Sequence, residues 1–138
     1  MLSTQLFRFM TRCDPETVWS ILAPVHPSRG RYYGVPVVSD WAVGSTVVIG
    51  SCSGNGPAMV GEILAAERAA LLSYSLGDQP DQPTTYVTWK IYATDAGTGG
   101  TVVRLYVDEL EPGEDWELEA AWLPVLSALQ QELDHCIR

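Results

Sequence analysis

With 138 residues, 46% of them hydrophobic and 18% charged, the chain has the size and balance of one ordinary folded domain spanning residues 1–138. No apolar run reaches the ~20 residues of a membrane span, and the start, MLSTQLFRFMTR, lacks the longer apolar region and cleavage site of a secretory signal, so a cytoplasmic protein without membrane insertion is expected. A net charge of -9, with Lys90 the single lysine and the arginines scattered along the chain, argues against nucleic acid and anionic membrane as partners.

Gln5 to Arg12 alternates imperfectly, with Phe7 and Phe9 on one face and Arg8 and Arg12 on the other, which predicts a first strand. Asp14-Pro15-Glu16 reads as a helix start. Asp14 can accept a hydrogen bond from the first turn, Pro15 suits the first helical position and Glu16 complements the helix dipole. Pro24 and Pro27 end this helix early, and Ala23 to Gly34 is a loop or a second short helix.

From Val35 the pattern turns to strands. Asp40 to Gly44 is a strand end and turn before the β-branched run Thr46 to Ile49. Ser51 to Pro57 is a hairpin loop in which Asn55-Gly56 supplies positive φ. Met59 to Ala66 and Leu71 to Leu76 are the next strands, followed by a polar, proline-rich loop from Gly77 to Pro83. Thr85 to Ala93 and Thr101 to Leu110 form the clearest hairpin: Val87, Trp89, Ile91, Val103, Leu105 and Val107 face inward, while Lys90, Arg104 and Asp108 go to solvent with Tyr92 and Tyr106 covering the outer face.

From about Glu114 to Arg138 the chain predicts one long amphipathic helix. Leu118, Trp122, Val125, Leu126, Leu129, Leu133 and Ile137 recur at three- and four-residue steps and make one apolar stripe. Pro124 removes a bond to the carbonyl of Ala120, so a bend or a fresh start of the helix is expected there. A sheet wrapped around this helix buries both apolar surfaces, giving an α+β fold: a curved antiparallel sheet of six or seven strands gripping a long C-terminal helix, with two short helices after the first strand.

That element order, together with Asp14 to Trp19, Ser39-Asp40-Trp41 through Val43-Gly44-Ser45, Gly61 to Leu64, Gly99 to Val103 and Trp122 followed by Leu126, Leu129 and Leu133, resembles the START-like (SRPBCC) superfamily. Within it, the chain looks most like the domain similar to the activator of the heat-shock-protein-90 ATPase. Two departures stand out: Ala121 replaces a glycine before the helix tryptophan, and Arg31-Tyr32-Tyr33-Gly34 replaces a tryptophan-rich segment at the cavity mouth. The resemblance implies a hydrophobic cavity between sheet and helix, in a group whose members include lipid and hormone binders, polyketide cyclases and chaperone regulators. Fold alone does not choose among them.

The candidate pocket residues are Phe9, Tyr33, Tyr74, Trp89, Trp116 and Trp122. Large inward side chains suit an apolar pocket with few polar contacts, and buried Tyr and Trp need hydrogen-bond partners that would orient a ligand. The same residues by themselves suit a filled core; the resemblance moves the reading to a cavity. No catalytic residue is assigned: His26 and His135 are remote from any nucleophile arrangement, although His26 with Arg29 and Arg31 has the chemistry to orient a carboxylate or enolate. No His, Cys or carboxylate spacing suggests a metal, no cofactor is expected, and Cys13, Cys52 and Cys136 read as thiols in or near the core. The acidic stretch from Asp108 to Glu119 is a solvated helix approach or a docking surface for a basic partner. The sequence therefore predicts binding of a small hydrophobic molecule without assigned catalysis. Its alternatives are a polyketide cyclase or aromatase, and an adaptor or chaperone regulator acting through protein contacts or as a homodimer.

Overall fold

The computed structural model describes residues 3–24, 37–49, 59–77, 85–93, 100–109 and 115–136, with side chains described throughout these except at 3, 109, 115–122 and 134–136. Seven strands and two helices follow in the order β1 (Ser3–Thr11), α1 (Pro15–Leu22), β2 (Val37–Ser39), β3 (Thr46–Ile49), β4 (Met59–Glu67), β5 (Leu71–Leu76), β6 (Thr85–Ala93), β7 (Thr101–Glu109) and α2 (Asp115–Cys136). All strand pairs are antiparallel, in the spatial order β1-β7-β6-β5-β4-β3-β2. The α+β architecture expected from the sequence is what forms. The second short helix, the Asn55-Gly56 hairpin tip and the loops after Gly77 and Ala93 lie outside the described residues. Among the described helices, none is long and apolar enough to cross a membrane.

Strands β1, β6 and β7 obey the two-residue period that the sequence displays. On β6 and β7, Val87, Trp89, Ile91, Val103, Leu105 and Val107 are buried, while Lys90, Tyr92, Arg104, Tyr106 and Asp108 point the other way. On β1 the inner residues Gln5, Phe7 and Phe9 are half-buried, and Leu6, Arg8 and Met10 are exposed, as is Arg12 just after the strand. The core forms where α1 and the second half of α2 cover the inner face: Val18, Ile21 and Leu22 from α1 and Leu129 and Leu133 from α2 join the sheet residues in one cluster. Full burial of each of these leucines contributes roughly 2 kcal/mol.

Helix α1 starts where the sequence places it. Asp14 caps it by accepting a 2.8 Å hydrogen bond from the Thr17 backbone N–H, and Pro15 occupies the first turn. Helix α2 runs through Pro124 as a single helix, so the fresh start allowed by the sequence does not occur. Of the predicted stripe, Val125 and Leu126 are half-buried and Leu129 and Leu133 are fully buried; Leu123, one residue before the proline, is exposed.

Cys13 fastens this helix to the sheet. Its thiol donates to the Leu133 carbonyl at 3.0 Å, its own carbonyl accepts from the Thr101 hydroxyl at 2.7 Å, and its amide donates to the Thr11 hydroxyl at 3.2 Å. The buried thiol expected from composition is therefore a joint between the end of β1, the start of β7 and α2.

Three backbone features shape the β2–β5 half. Between Ile63 and Ala65 the register of β4 against β5 shifts, and the intervening Leu64 turns outward. This is the behaviour of a bulge, which bends a strand locally. Nearby, a Cβ on Gly61 would fall 1.7 Å from the Ser75 carbonyl oxygen, so only glycine lets the two strands approach. Trp41 has φ of 60°, in the left-handed region that a bulky residue rarely enters. It is held there by its indole N–H, which donates to the Pro24 carbonyl at 2.9 Å, and by a 3.0 Å bond from its amide to the Ser39 hydroxyl.

Gly61→Ala is expected to lower stability by about 2 kcal/mol or more, since the obstacle is backbone; an unchanged urea midpoint would contradict the close approach. Thr17, through its hydroxyl and then its backbone N–H, holds the Asp14 carboxyl below its ordinary value of 3.8. A depressed folded-state pKa gives stability that is present above the unfolded value and lost as pH falls through the folded one. The difference in thermal midpoint between the wild type and Asp14→Ala should therefore be constant near neutrality and shrink below pH 3.8, as thermal scans across pH would show.

Candidate functional site

The inner face of the central strands places large side chains in rows at right angles to the chain direction. Phe7, Leu105, Trp89 and Leu72 make one row across β1, β7, β6 and β5 through successive direct pairings. Val107, Val87, Tyr74 and Ile63 make the next, with Gln5 at its β1 end. Trp89 and Tyr74 are thus diagonal neighbours on adjacent strands, a geometry within reach of aromatic side chains.

These two residues are joined. The Trp89 indole N–H donates to the Tyr74 hydroxyl at 3.1 Å, and both side chains have 0% exposure. A buried indole N–H or phenol without a partner costs on the order of 1–3 kcal/mol, so the bond explains how two polar atoms tolerate the centre of an apolar face. Because the phenol oxygen acts as acceptor toward Trp89, its own O–H is directed elsewhere.

Phe9 shares this inner face. It sits one row from Trp89, opposite Val103 and across from Ile91, and is half-buried against the core. Of the six residues expected to line a pocket, Phe9, Tyr74 and Trp89 are therefore gathered on one face. Trp116 and Trp122 lie on α2 with side chains outside the description, and Tyr33 lies outside the described residues.

Two further inner-face positions are not among the six candidates. Phe7 shares Trp89's row, and its inward parity was already visible beside Phe9. Gln5 brings a half-buried amide to the end of Tyr74's row; alternation gives its side, but nothing in the sequence gives its neighbour. Among the described residues the buried polar side chains other than Tyr74 and Trp89 are Ser75 and Thr101. Ser75 accepts from the Glu62 amide at 3.1 Å and Thr101 donates to Cys13. No group of three or more His, Cys, Asp or Glu capable of holding a metal occurs among the described residues.

Several solved structures superimpose on this arrangement over nearly its whole length. Protein MLL2253 from Mesorhizobium loti matches with a TM-score of 0.75 at 23% identity, over 96% of this chain and 98% of its own. The Aha1 dimer from Colwellia psychrerythraea gives 0.71 at 16% identity, over 95% and 96%. CalU16 from Micromonospora echinospora gives 0.73 at 18% identity, over 96% and 83%. The chain has the fold that these structures share, an antiparallel sheet gripping a C-terminal helix. No protein-family model matches it, and no curated protein does. At such identities the shared helix-grip fold carries architecture, with function left to the side chains.

The Trp89–Tyr74 bond yields a direct test. Tyr74→Phe removes the acceptor and is expected to destabilise the protein by about 1–3 kcal/mol. In a double-mutant cycle with Trp89→Phe the two losses should be strongly non-additive, whereas additive losses in denaturant titrations would mean that the bond contributes nothing.

Proposed function

We propose that the protein binds a small, largely hydrophobic molecule between the inner face of the sheet and helix α2, without chemical transformation of it. The observation that carries this reading is the Trp89–Tyr74 pair: a hydrogen-bonded polar couple at 0% exposure in a face otherwise made of Phe, Leu, Val and Ile. Ligand sites of this kind are predominantly apolar with a few placed polar groups that fix orientation. Phe9 and Phe7 provide apolar walls toward the β1 side, and Trp116 and Trp122 on α2 are the residues by which the helix would close the site. Tyr33 belongs to the entrance in this reading.

Catalysis of the cyclase type would need an acid or base aimed at the ligand. Among the described residues the buried titratable side chains are Tyr74 and Cys13, and the thiol is engaged with the Leu133 carbonyl. A second reading, self-association, draws on the likeness to the Aha1 dimer from Colwellia psychrerythraea. It is checked by light scattering, where a monomer mass across the concentration range would reject it.

Native mass spectrometry of the purified protein, followed by titration with fatty acids and aromatic compounds under tryptophan fluorescence, tests the main reading. The expected outcome is a stoichiometric bound molecule or saturable quenching that is weakened at least about tenfold in Tyr74→Phe. A clean apo mass together with flat titrations would refute it.

A further inference from the structure

The outer face of the sheet has an organisation of its own. Arg8 on β1 stands directly opposite Arg104 on β7, and Arg104 directly opposite Lys90 on β6. Three cations widely separated in the sequence thus form one continuous row across three strands, about 10 Å from end to end. Like charges placed directly opposite each other are destabilising. In a chain of net charge -9 with 8 basic residues in all, such a row is not explained by average surface composition.

Its local chemistry holds the charges in place without neutralising them. Lys90 Nζ lies 5.2 Å from the Tyr106 ring centroid, and the Arg104 guanidinium lies 5.2 Å from that of Tyr92. Each cation leans on the diagonal aromatic of the neighbouring strand, an attraction to the ring face that brings no negative charge to it. Among the described residues none of the three forms an ion pair; the salt bridge present joins Arg68 to Glu16. The nearest acids in register are Glu67, two strands beyond Lys90 along the row, and Asp108, four residues beyond Arg104 along β7 and already accepting from the Thr4 hydroxyl.

Apolar rows flank the charges. On one side Leu6 pairs with Tyr106; on the other Met10 pairs with Val102, which pairs with Tyr92. Leu6, Met10 and Tyr92 are 54%, 57% and 42% exposed. The face therefore alternates apolar, cationic and apolar bands, each about 7 Å from the next.

We propose that this outer face docks an acidic amphipathic segment of a partner protein. The segment lies across β1, β7 and β6 with its carboxylates on Arg8, Arg104 and Lys90 and its apolar side chains on the flanking bands. Carboxylates at four-residue steps of a helix stand about 6 Å apart along its axis, close to the roughly 4.8 Å strand spacing that sets the distance between the cations. A purely polar polyanion would leave Leu6, Met10 and Tyr92 unused, which is why the bands select an acidic segment with apolar neighbours. This surface is on the opposite side of the sheet from Trp89 and Tyr74, so it is independent of the ligand site.

The test uses the full chain and a fluorescent synthetic peptide of about four helical turns, carrying glutamates at four-residue steps with leucines beside them. Fluorescence anisotropy should show saturable binding at about 50 mM salt, weakened at least about tenfold at about 300 mM. Binding should fall by more than about tenfold with a glutamine version of the peptide and in Lys90→Glu/Arg104→Glu. The milder Lys90→Gln/Arg104→Gln and the edge variant Arg8→Glu, checked for native circular dichroism, should show the same direction. Absence of binding, or equal binding by these variants, would overturn the proposal. So would preferential binding to phosphatidylserine vesicles, which would make the face a lipid contact. Self-association of the protein abolished by the same substitutions, with no peptide binding, would make a second copy the occupant and would equally overturn it.

Discussion

The interior is organised by one hydrogen bond, from the Trp89 indole to the Tyr74 hydroxyl. Two of the largest side chains in the molecule stand diagonally on adjacent central strands with 0% exposure, and neither polar atom has access to water. The bond removes the penalty of burying both. It also fixes the rings relative to each other, so the inner face of β5 and β6 becomes a surface of defined shape. What lies against that surface, from Phe7 and Phe9 on one side to α2 above, must accommodate it.

The surrounding structure sets how α2 and the outer strands stand against that face. Cys13 ties α2 at Leu133 to the junction of β1 and β7, which fixes the C-terminal half of the helix over the sheet. Toward β2 the bulge at Leu64 and the backbone approach at Gly61 bend the sheet, and Trp41 pins the β2–β3 turn to the end of α1 through the Pro24 carbonyl. Only a backbone with a glycine at 61 can make that approach, and only a turn anchored at both ends holds a tryptophan at positive φ. Helix anchor and sheet bend together set how α2 stands over the Trp89–Tyr74 pair, and the proposed ligand site lies between them.

Much of the architecture was legible from periodicity. The alternation along β6 and β7 gave the correct inward set, the Asp14-Pro15 pair gave the start of α1, and the spacing of Leu126, Leu129 and Leu133 gave the buried stripe of α2. At Pro124 the sequence allows a bend or a fresh start, and the helix continues without a fresh start because the packing of Leu129 and Leu133 acts on the whole helix. Parity tells which side a strand residue faces but not which residue stands opposite. For that reason the arginines, scattered in the sequence, come together on the outer face as Arg8, Arg104 and Lys90, and Gln5 acquires its place beside Tyr74's row only through pairings between distant strands. The bond between Trp89 and Tyr74 depends on the same registers.

The proposed ligand site requires that Trp89 and Tyr74 bound a space able to hold an apolar molecule. Xenon enters apolar cavities and is excluded from interiors packed to crystal-like density, so diffraction from crystals held under xenon pressure measures this directly. A xenon site in contact with the Trp89 or Tyr74 ring, between the sheet and α2, is the predicted result. Full occupancy of that space by the protein's own side chains, with no xenon on the inner face, would contradict it.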